Sequence, residues 1–194
     1  MAVRKAVLTL TVTLGENETL LDDFNLLATT ARGNERQMIY EILYLLKETL
    51  TDQTAQASKT GVRGLIVART ALDPCDVIEQ FKSILHERPY EFRYALRIIP
   101  IQKVVTTDLE TIGQAVLELS SNIGEDETFR VTVEKRFTLL HSKEIVETVA
   151  AEINRRVNLD DPDKILLVEV IGKFTGLSLI KPDLVLAVQK EKML

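Results

Sequence analysis

FRVTVEKR, at residues 129–136, alternates apolar and polar side chains in the manner of a half-buried strand. The segment that follows, HSKEIVETVAAEINRRV, spaces its apolar residues by three and four positions. This period predicts a helix over 142–157 with Ser142 as its N-cap. The two segments therefore indicate an α/β unit in which a strand is followed at once by a helix.

Apolar, β-rich runs complete this unit. ILLVEVIG and LSLI predict strands at 165–171 and 176–180, and a further strand is expected at 184–189. The link GKFTG, at 172–176, is predicted to be a tight turn because its glycines permit the bend. Lys173 would project from this turn.

The preceding part of the chain also alternates strand and helix patterns. FNLLATT (24–30) predicts a strand, and a helical stripe follows the turn ARGNERQ (31–37). The polar segment 51–60 has no periodicity and is predicted to be a loop. VRGLIVART (62–70) predicts a second strand, and the helix after it is expected to be capped by Asp73.

A further strand is predicted after this helix, with two arginines on its outer side. Alternation places Arg93, Ala95 and Arg97 on the outer face. The inner face is expected to hold Phe92, Tyr94, Leu96 and Ile98.

This order of elements predicts an α+β protein with two units. Residues 1–103 are expected to form a ferredoxin-like domain, to which the first 20 residues would add a strand. Residues 104–194 are expected to form an α/β domain with a mixed sheet, beginning with a helix over 108–121.

The charge and hydropathy of the chain limit its function. A formal net charge of −5 over 194 residues argues against a protein that coats nucleic acid through many phosphate contacts, although it permits a local basic patch. No apolar run reaches the roughly 20 residues that span a bilayer, and the N-terminal segment lacks the apolar block of a signal peptide. A cytoplasmic protein with no membrane partner is therefore expected.

Few residues suit catalysis. His86 and His141 lie outside any recognisable motif, and Cys75 is expected to be a small buried thiol. These three residues are too widely spaced to predict a zinc site, and GKFTG lacks the spacing of a phosphate-binding P-loop. No catalytic residue, metal site or cofactor is predicted.

The order of the C-terminal segments resembles a THUMP domain, a tRNA-binding module. FRVTVEKR, the helix after it, DDPDKILLVEVIG and GKFTGLSLIKPD carry this resemblance. The upstream NLLATTARGNERQMIYEILYLLKE and FRYALRIIPIQKVV resemble the ferredoxin-like part of stand-alone THUMP proteins that assist tRNA cytidine acetylation. Together these segments cover residues 24–190.

The resemblance implies a non-catalytic adaptor that holds tRNA near its acceptor end. Such an adaptor would present the tRNA to a separate tRNA cytidine acetyltransferase that makes 4-acetylcytidine. The end of the chain at Leu194 leaves no room for a catalytic domain of its own, as expected for an adaptor. The implied RNA contacts are the basic residues of the matching segments, Arg32, Arg36, Arg93, Arg97, Lys103, Lys135, Arg136, Lys143 and Lys173.

Three alternatives stay open. The chain could be a THUMP-type RNA-binding subunit for another tRNA-modifying enzyme. It could be a small phosphate-ester or acyl-phosphate hydrolase on a ferredoxin-like scaffold, with Arg32 and Asn34 holding the phosphate at a helix N-terminus. It could also be a protein-interaction or dimerisation module, if the cations of the strands are paired in salt bridges.

Overall fold

Two five-stranded sheets form the frame of the protein. The computed structural model describes residues 20–193, so the strand expected within the first 20 residues falls almost entirely outside the described part. In chain order the elements are β1 (Leu26–Thr30), α1 (Glu35–Tyr44), β2 (Gln56–Lys59), β3 (Leu65–Arg69), α2 (Pro74–Glu87), β4 (Ala95–Pro100), β5 (Lys103–Thr106), α3 (Leu109–Ser120), β6 (Thr128–Arg136), α4 (Ser142–Ala151), β7 (Arg156–Val157), β8 (Lys164–Ile171), β9 (Phe174–Ile180), β10 (Leu186–Ala187) and α5 (Val188–Glu191).

The first sheet is antiparallel and has the order β10-β4-β1-β3-β2. The second sheet has the order β5-β9-β8-β6-β7 and is mixed, because β6 runs parallel to both β7 and β8 whereas β9 runs antiparallel to β8 and β5. The predicted α+β class, with an N-terminal unit followed by a unit with a mixed sheet, is confirmed.

The polar segment predicted to be a loop contains a strand. Gln56–Lys59 pairs with Ile66–Arg69 at the edge of the first sheet. An edge strand is paired on one side only and its side chains stay partly exposed, so its sequence needs no apolar alternation. The loop prediction for 51–60 is therefore wrong over these four residues.

The alternation predicted for β4 is interrupted by a β-bulge. Thr29 of β1 pairs with Arg97 of β4, but the next residue, Thr30, pairs with Ala95. Leu96 is the extra residue between these pairs, and it is 43% exposed while Ala95 is buried. The prediction that Leu96 faces the core is wrong because the bulge reverses the order of the two faces.

The helix predicted over 142–157 ends at Ala151, and its N-cap is His141 and not Ser142. The His141 backbone N–H donates to the Glu144 carboxylate at 2.9 Å, which satisfies one of the free donors at the start of α4. The chain then leaves the helix, and Arg156–Val157 pairs with β6 as a short parallel strand.

The C-terminal segment returns to the first sheet. The strand expected at 184–189 is present only as the two residues of β10, which lie between a short 3₁₀ turn and α5 and pair with β4. Because β10 pairs with β4, the first unit contains residues from both ends of the described chain. The boundary predicted between residues 103 and 104 falls inside β5.

Three apolar clusters stabilise this arrangement. One lies between the first sheet and helices α1 and α2, and another lies between the second sheet and helices α3 and α4. The third joins the two sheets through their inner faces, where Leu27, Val67 and Ile99 of the first unit pack with Leu167 and Ile180 of the second. The two units are thus held in one orientation by a shared core.

Within residues 20–193, every helix is too short or too polar to cross a membrane.

Candidate nucleic-acid interface

The C-terminal ends of the parallel strands β6 and β8 bring basic residues from two segments together. Arg136, the last residue of β6, is aligned with Ile171 at the end of β8. The Gly172 backbone N–H donates to the Arg136 carbonyl at 2.8 Å, so the turn after β8 is fastened to the end of β6. Gly172 has φ +61°, which glycine adopts without strain, whereas Gly176, the other glycine expected to permit the bend, lies inside β9. Lys173 follows Gly172 and is exposed.

Phe137 lies at the same end of the sheet and was missed by sequence reasoning. Its side chain is 75% exposed, and its backbone has φ +58°, in the left-handed region that bulky residues rarely adopt. The exposed ring gains little stabilisation from burial, and the backbone conformation is strained. Both features therefore indicate that Phe137 has a role in binding. The available signal was an aromatic residue directly after the basic pair that ends a strand. Lys135, Arg136, Phe137 and Lys173 are called the strand-end surface below.

A buried carboxylate lies beneath this surface. Glu169 of β8 is 1% exposed, and Arg136 Nη1 donates to its Oε2 at 2.8 Å. Arg97 of β4 approaches the other oxygen, with Nη2 at 3.6 Å. Burial raises the pKa of Glu169, and the two guanidinium groups oppose that shift. Arg97 and Arg136, both predicted RNA contacts, are therefore partly engaged in an ion-pair network between the two units.

Two further predicted contacts lie on the helix side of the strand end. Lys135 is exposed, and its ammonium donates to the Leu140 carbonyl at 2.9 Å. Lys143, in the first turn of α4, is 3.6 Å from the Glu147 carboxylate, and its side chain is 84% exposed. An exposed pair of this kind is weak and leaves the lysine available to a phosphate.

The remaining predicted contacts are spread over other parts of the molecule. Lys103 of β5 pairs with Glu118 of α3. Arg36 donates to the Tyr40 hydroxyl at 3.2 Å, and Arg93 donates to the Tyr90 carbonyl at 3.2 Å, both beside α1. Arg32 is exposed in the turn before α1. The structure thus brings together Lys135, Arg136 and Lys173, with Lys143 and Arg97 nearby, and places the other four elsewhere.

A carboxylate of the protein already engages two backbone donors near the start of α1. One oxygen of the Glu35 carboxylate accepts the backbone N–H groups of Gly33, at 3.1 Å, and of Gly64, at 2.6 Å. These two hydrogen bonds lower the pKa of Glu35, and the one from Gly64 has the larger effect. A carboxylate of the protein therefore occupies the position that the hydrolase alternative would assign to a bound phosphate.

The side chains whose chemistry best suits catalysis are Cys75, His86 and His141. Burial, reinforced by Asp73 and Asp76, raises the pKa of the Cys75 thiol to about 11, so this group is protonated at neutral pH. His86 lies 3.8 Å from the Glu191 carboxylate, and His141 begins α4. In residues 20–193, no three side chains of His, Cys, Asp or Glu gather in a way that could hold a metal ion.

Known proteins resemble this chain in sequence over part of its length. Residues 106–180 match the THUMP domain family. An uncharacterized protein, MJ0421 of Methanocaldococcus jannaschii, is 28% identical over 152 residues, which are 76% of this chain and 39% of that protein.

Solved structures share the fold of both units. PH1313 from Pyrococcus horikoshii superimposes with a TM-score of 0.57 at 20% identity, over 81% of this chain and 55% of that one. TrmN from Thermus thermophilus gives a TM-score of 0.53 at 17% identity, over 81% and 46%. A predicted N6-adenine-specific DNA methylase from Listeria monocytogenes gives 0.51 at 15% identity, over 80% and 40%.

The chain spans between 39% and 55% of the length of these four relatives. The strand-end surface lies wholly inside the segment that matches the family. The second unit of this chain therefore contains, at residues 106–180, the segment that matches the THUMP domain family.

Proposed function

We propose that this chain binds tRNA through the strand-end surface of its THUMP domain and serves a separate tRNA-modifying enzyme. One observation carries the proposal. The segment that matches the THUMP family contains the place where exposed cations and an exposed aromatic ring meet at the ends of two parallel strands.

The chemistry of this surface suits the end of a structured RNA. Lys135 and Lys173 can each contact a phosphate, while the Phe137 ring offers a face on which an unpaired base can stack. The net charge of −5 limits binding to such a local patch. A few phosphate contacts give a moderate dependence of affinity on salt, with a slope of about −0.7 for each phosphate of a single strand.

We propose in addition that the chain is not itself an enzyme. Its thiol has a raised pKa, and the Glu35 carboxylate already engages the backbone N–H groups of Gly33 and Gly64, which a phosphate bound near the start of α1 would need. The partner enzyme would then carry out the modification of the tRNA. The resemblance of both units to stand-alone THUMP proteins favours a tRNA cytidine acetyltransferase that forms 4-acetylcytidine.

Another tRNA-modifying enzyme is the second candidate for the partner. The similarity of the fold to the predicted methylase from Listeria monocytogenes supports a wider choice of chemistry than acetylation. Mass spectrometry of the nucleosides in total tRNA, from cells with and without the gene for this chain, separates the two. Loss of 4-acetylcytidine supports the acetyltransferase, and loss of a different modified nucleoside supports the second candidate.

The binding step is tested directly with purified protein. Fluorescence anisotropy of labelled tRNA, with and without its single-stranded 3′ end, should show weaker binding when that end is removed. The double variant Lys135→Ala/Lys173→Ala should bind intact tRNA at least about tenfold more weakly, because two phosphate contacts are lost. Equal affinity for tRNA and for heparin, a polyanion without bases, would contradict the proposal.

A further inference from the structure

All four tyrosines of the chain line a single groove on the first unit. The groove has a volume of about 470 Å³ and lies beside α1, where Arg93 and Gln37 also border it. It lies on the side of the first sheet that carries α1 and α2, whereas the second unit packs on the opposite side. The residues of the strand-end surface do not line this groove. The four rings belong to Tyr40, Tyr44, Tyr90 and Tyr94.

Three of these rings are unusually open to solvent. Tyr40, Tyr44 and Tyr90 are 41%, 47% and 63% exposed. An exposed tyrosine is ordinary when it stands alone, but several in one concave site form a recognition surface. The rings of Tyr44 and Tyr90 are therefore available to a planar or apolar ligand, whereas Arg36 already lies over the Tyr40 ring, with its guanidinium carbon 5.7 Å from the ring centroid.

The groove is built on a fixed base. Glu41 of α1 is buried, and its carboxylate accepts the backbone N–H groups of Arg93 at 2.7 Å, Tyr94 at 2.9 Å and Ala95 at 2.9 Å. These three bonds fasten the segment before β4 to α1. Because both walls are tied together, the rings are held in place before any ligand binds.

Charged groups border the rings. Arg93 lines the groove and Arg36 lies beside Tyr40. Both side chains are exposed, and each donates a hydrogen bond to a tyrosine residue. Glu91 also lines the groove, and its side chain is 9% exposed. One of its oxygens accepts from Arg88 at 2.9 Å, while the other has no partner in the described part of the chain. The site therefore combines two exposed cations with a largely buried carboxylate that is paired with Arg88.

We propose that this tyrosine groove binds unpaired nucleotides of an RNA. Tyrosine rings stack on bases of any sequence, and arginines beside them contact the phosphates between those bases. The inference rests on the proposed function and adds to it a second contact with RNA, on a different face of the molecule.

Other ligands match the groove less well. A proline-rich peptide would use the aromatic faces but has no phosphate for Arg36 and Arg93. An acidic peptide would use the arginines but leaves the aromatic faces without partners. A nucleotide uses both kinds of group, and this complementarity favours RNA.

The composition of the chain provides a local signal for the test. It contains no tryptophan, so its intrinsic fluorescence arises from the four tyrosines, all of them in the groove. Stacking of a base on these rings should quench their emission. Binding at the strand-end surface should leave the emission unchanged.

The test is a titration of the full chain with a single-stranded RNA hexamer and with an abasic hexamer of the same backbone. The intact hexamer should quench the tyrosine emission, and the abasic one should not. Anisotropy of the labelled hexamer should show at least about a tenfold loss of affinity in Tyr44→Ala/Tyr90→Ala. Tyr44→Phe/Tyr90→Phe, which keeps both rings, should bind like the natural chain.

Each outcome distinguishes this inference from the proposed function. If tRNA binds without quenching and the alanine variant binds it normally, the groove is not an RNA site although the proposed function stands. If no RNA binds at all, the proposed function fails as well. Quenching by a proline-rich peptide but not by the hexamer would overturn the inference in favour of a protein partner.

Discussion

Arg136 Nη1 lies 2.8 Å from Glu169 Oε2, and this ion pair joins the end of β6 to a carboxylate that is almost fully buried. Arg97 reaches the same carboxylate from the first unit, at 3.6 Å. The buried carboxylate therefore has two effects. Through Arg97 it helps to connect the units, and through both arginines it reduces the positive charge that the strand-end surface shows to a ligand.

Glu169→Gln should change how stability depends on pH. Burial raises the pKa of Glu169 in the folded state, so the folded protein binds this proton more tightly than the unfolded chain. The contribution of Glu169 to stability is then greatest at low pH, and it decreases as pH rises from about 4.5 through the folded pKa. Denaturant unfolding of both proteins at several pH values measures this. The stability of the natural chain relative to the variant should decrease over that window, and an increase would contradict the assignment.

The same substitution should strengthen RNA binding. Glutamine keeps an oxygen for Arg136 but removes the negative charge, which leaves both arginines free to attract phosphates. We expect a several-fold gain in tRNA affinity at low salt that disappears at high salt. An unchanged affinity at low salt would indicate that Arg97 and Arg136 serve only the ion-pair network around Glu169.

Phe137→Asn should stabilise the protein and weaken its binding to tRNA. Asparagine tolerates φ +58° better than phenylalanine does, and little burial is lost because the ring is 75% exposed. We expect a gain of about 0.5–1 kcal/mol in the free energy of unfolding. The tRNA affinity should fall about tenfold, since stacking of one base contributes about 1–3 kcal/mol.

Leu139→Asn is the matched control for Phe137. Leu139 lies two residues away in the same loop and is 97% exposed, but it lacks the positive φ. Both stability and affinity should stay near those of the natural chain. If Phe137→Asn lowers stability, or if both variants bind tRNA equally well, the ring is not held in place for a base.

The sequence allowed prediction of the elements with strong periodicity but not of their exceptions. The class, the order of the main elements and the turn at Gly172 follow from local patterns. The bulge at Leu96 and the pairing of β2 depend on the neighbouring strand, which no local pattern reveals. Sequence likewise placed cations near the end of β6, but the partner of Arg136 is set by the pairing of β6 with β8, and the approach of Arg97 to the same carboxylate is set by the packing of one unit on the other.

Lys173→Ala and Arg136→Ala should separate binding from stability. Lys173 is exposed, so its removal should reduce the salt slope of tRNA binding by about one phosphate contact and change stability by less than about 0.5 kcal/mol. Removal of Arg136 leaves the Glu169 carboxylate with only the longer contact to Arg97, and it should lower stability by about 1–3 kcal/mol. Salt titrations and denaturant unfolding provide the two measurements. Equal effects of the two variants on stability would contradict the structural role of Arg136.

Asp52→Asn should destabilise the first unit at neutral pH. Burial raises the pKa of Asp52, but hydrogen bonds from Thr54, Thr70 and Ala71 outweigh it and lower the pKa from 3.8 to about 2. Thr70 Oγ1 donates to this carboxylate at 2.5 Å and Ala71 N at 2.8 Å. The stabilisation is present above pH 3.8 and is lost as pH falls toward 2.

A loss of up to about 2 kcal/mol is expected for Asp52→Asn at pH 7, because each pKa unit corresponds to about 1.4 kcal/mol. The difference between the variant and the natural chain should become smaller below pH 4. Thermal unfolding followed by circular dichroism at pH 7 and at pH 3 measures both values. If the variant and the natural chain differ in stability by the same amount at both pH values, Asp52 stabilises the fold through its shape and not through its charge.

Gly176→Ala should weaken the contact between the two units. Gly176 lies in β9 where the second sheet packs on the first, and a Cβ atom there would be 3.1 Å from both Phe24 Cζ and Ile101 Cγ2. Such crowding forces the sheets apart, at a cost of about 1–3 kcal/mol. Gly113→Ala in α3 is the matched control, because its Cβ would meet Thr148 at an ordinary 3.5 Å and alanine favours a helix by about 0.5–1 kcal/mol. Denaturant unfolding should therefore show opposite changes for the two substitutions, and a stabilising Gly176→Ala would mean that the sheets are not packed as closely as the structure shows.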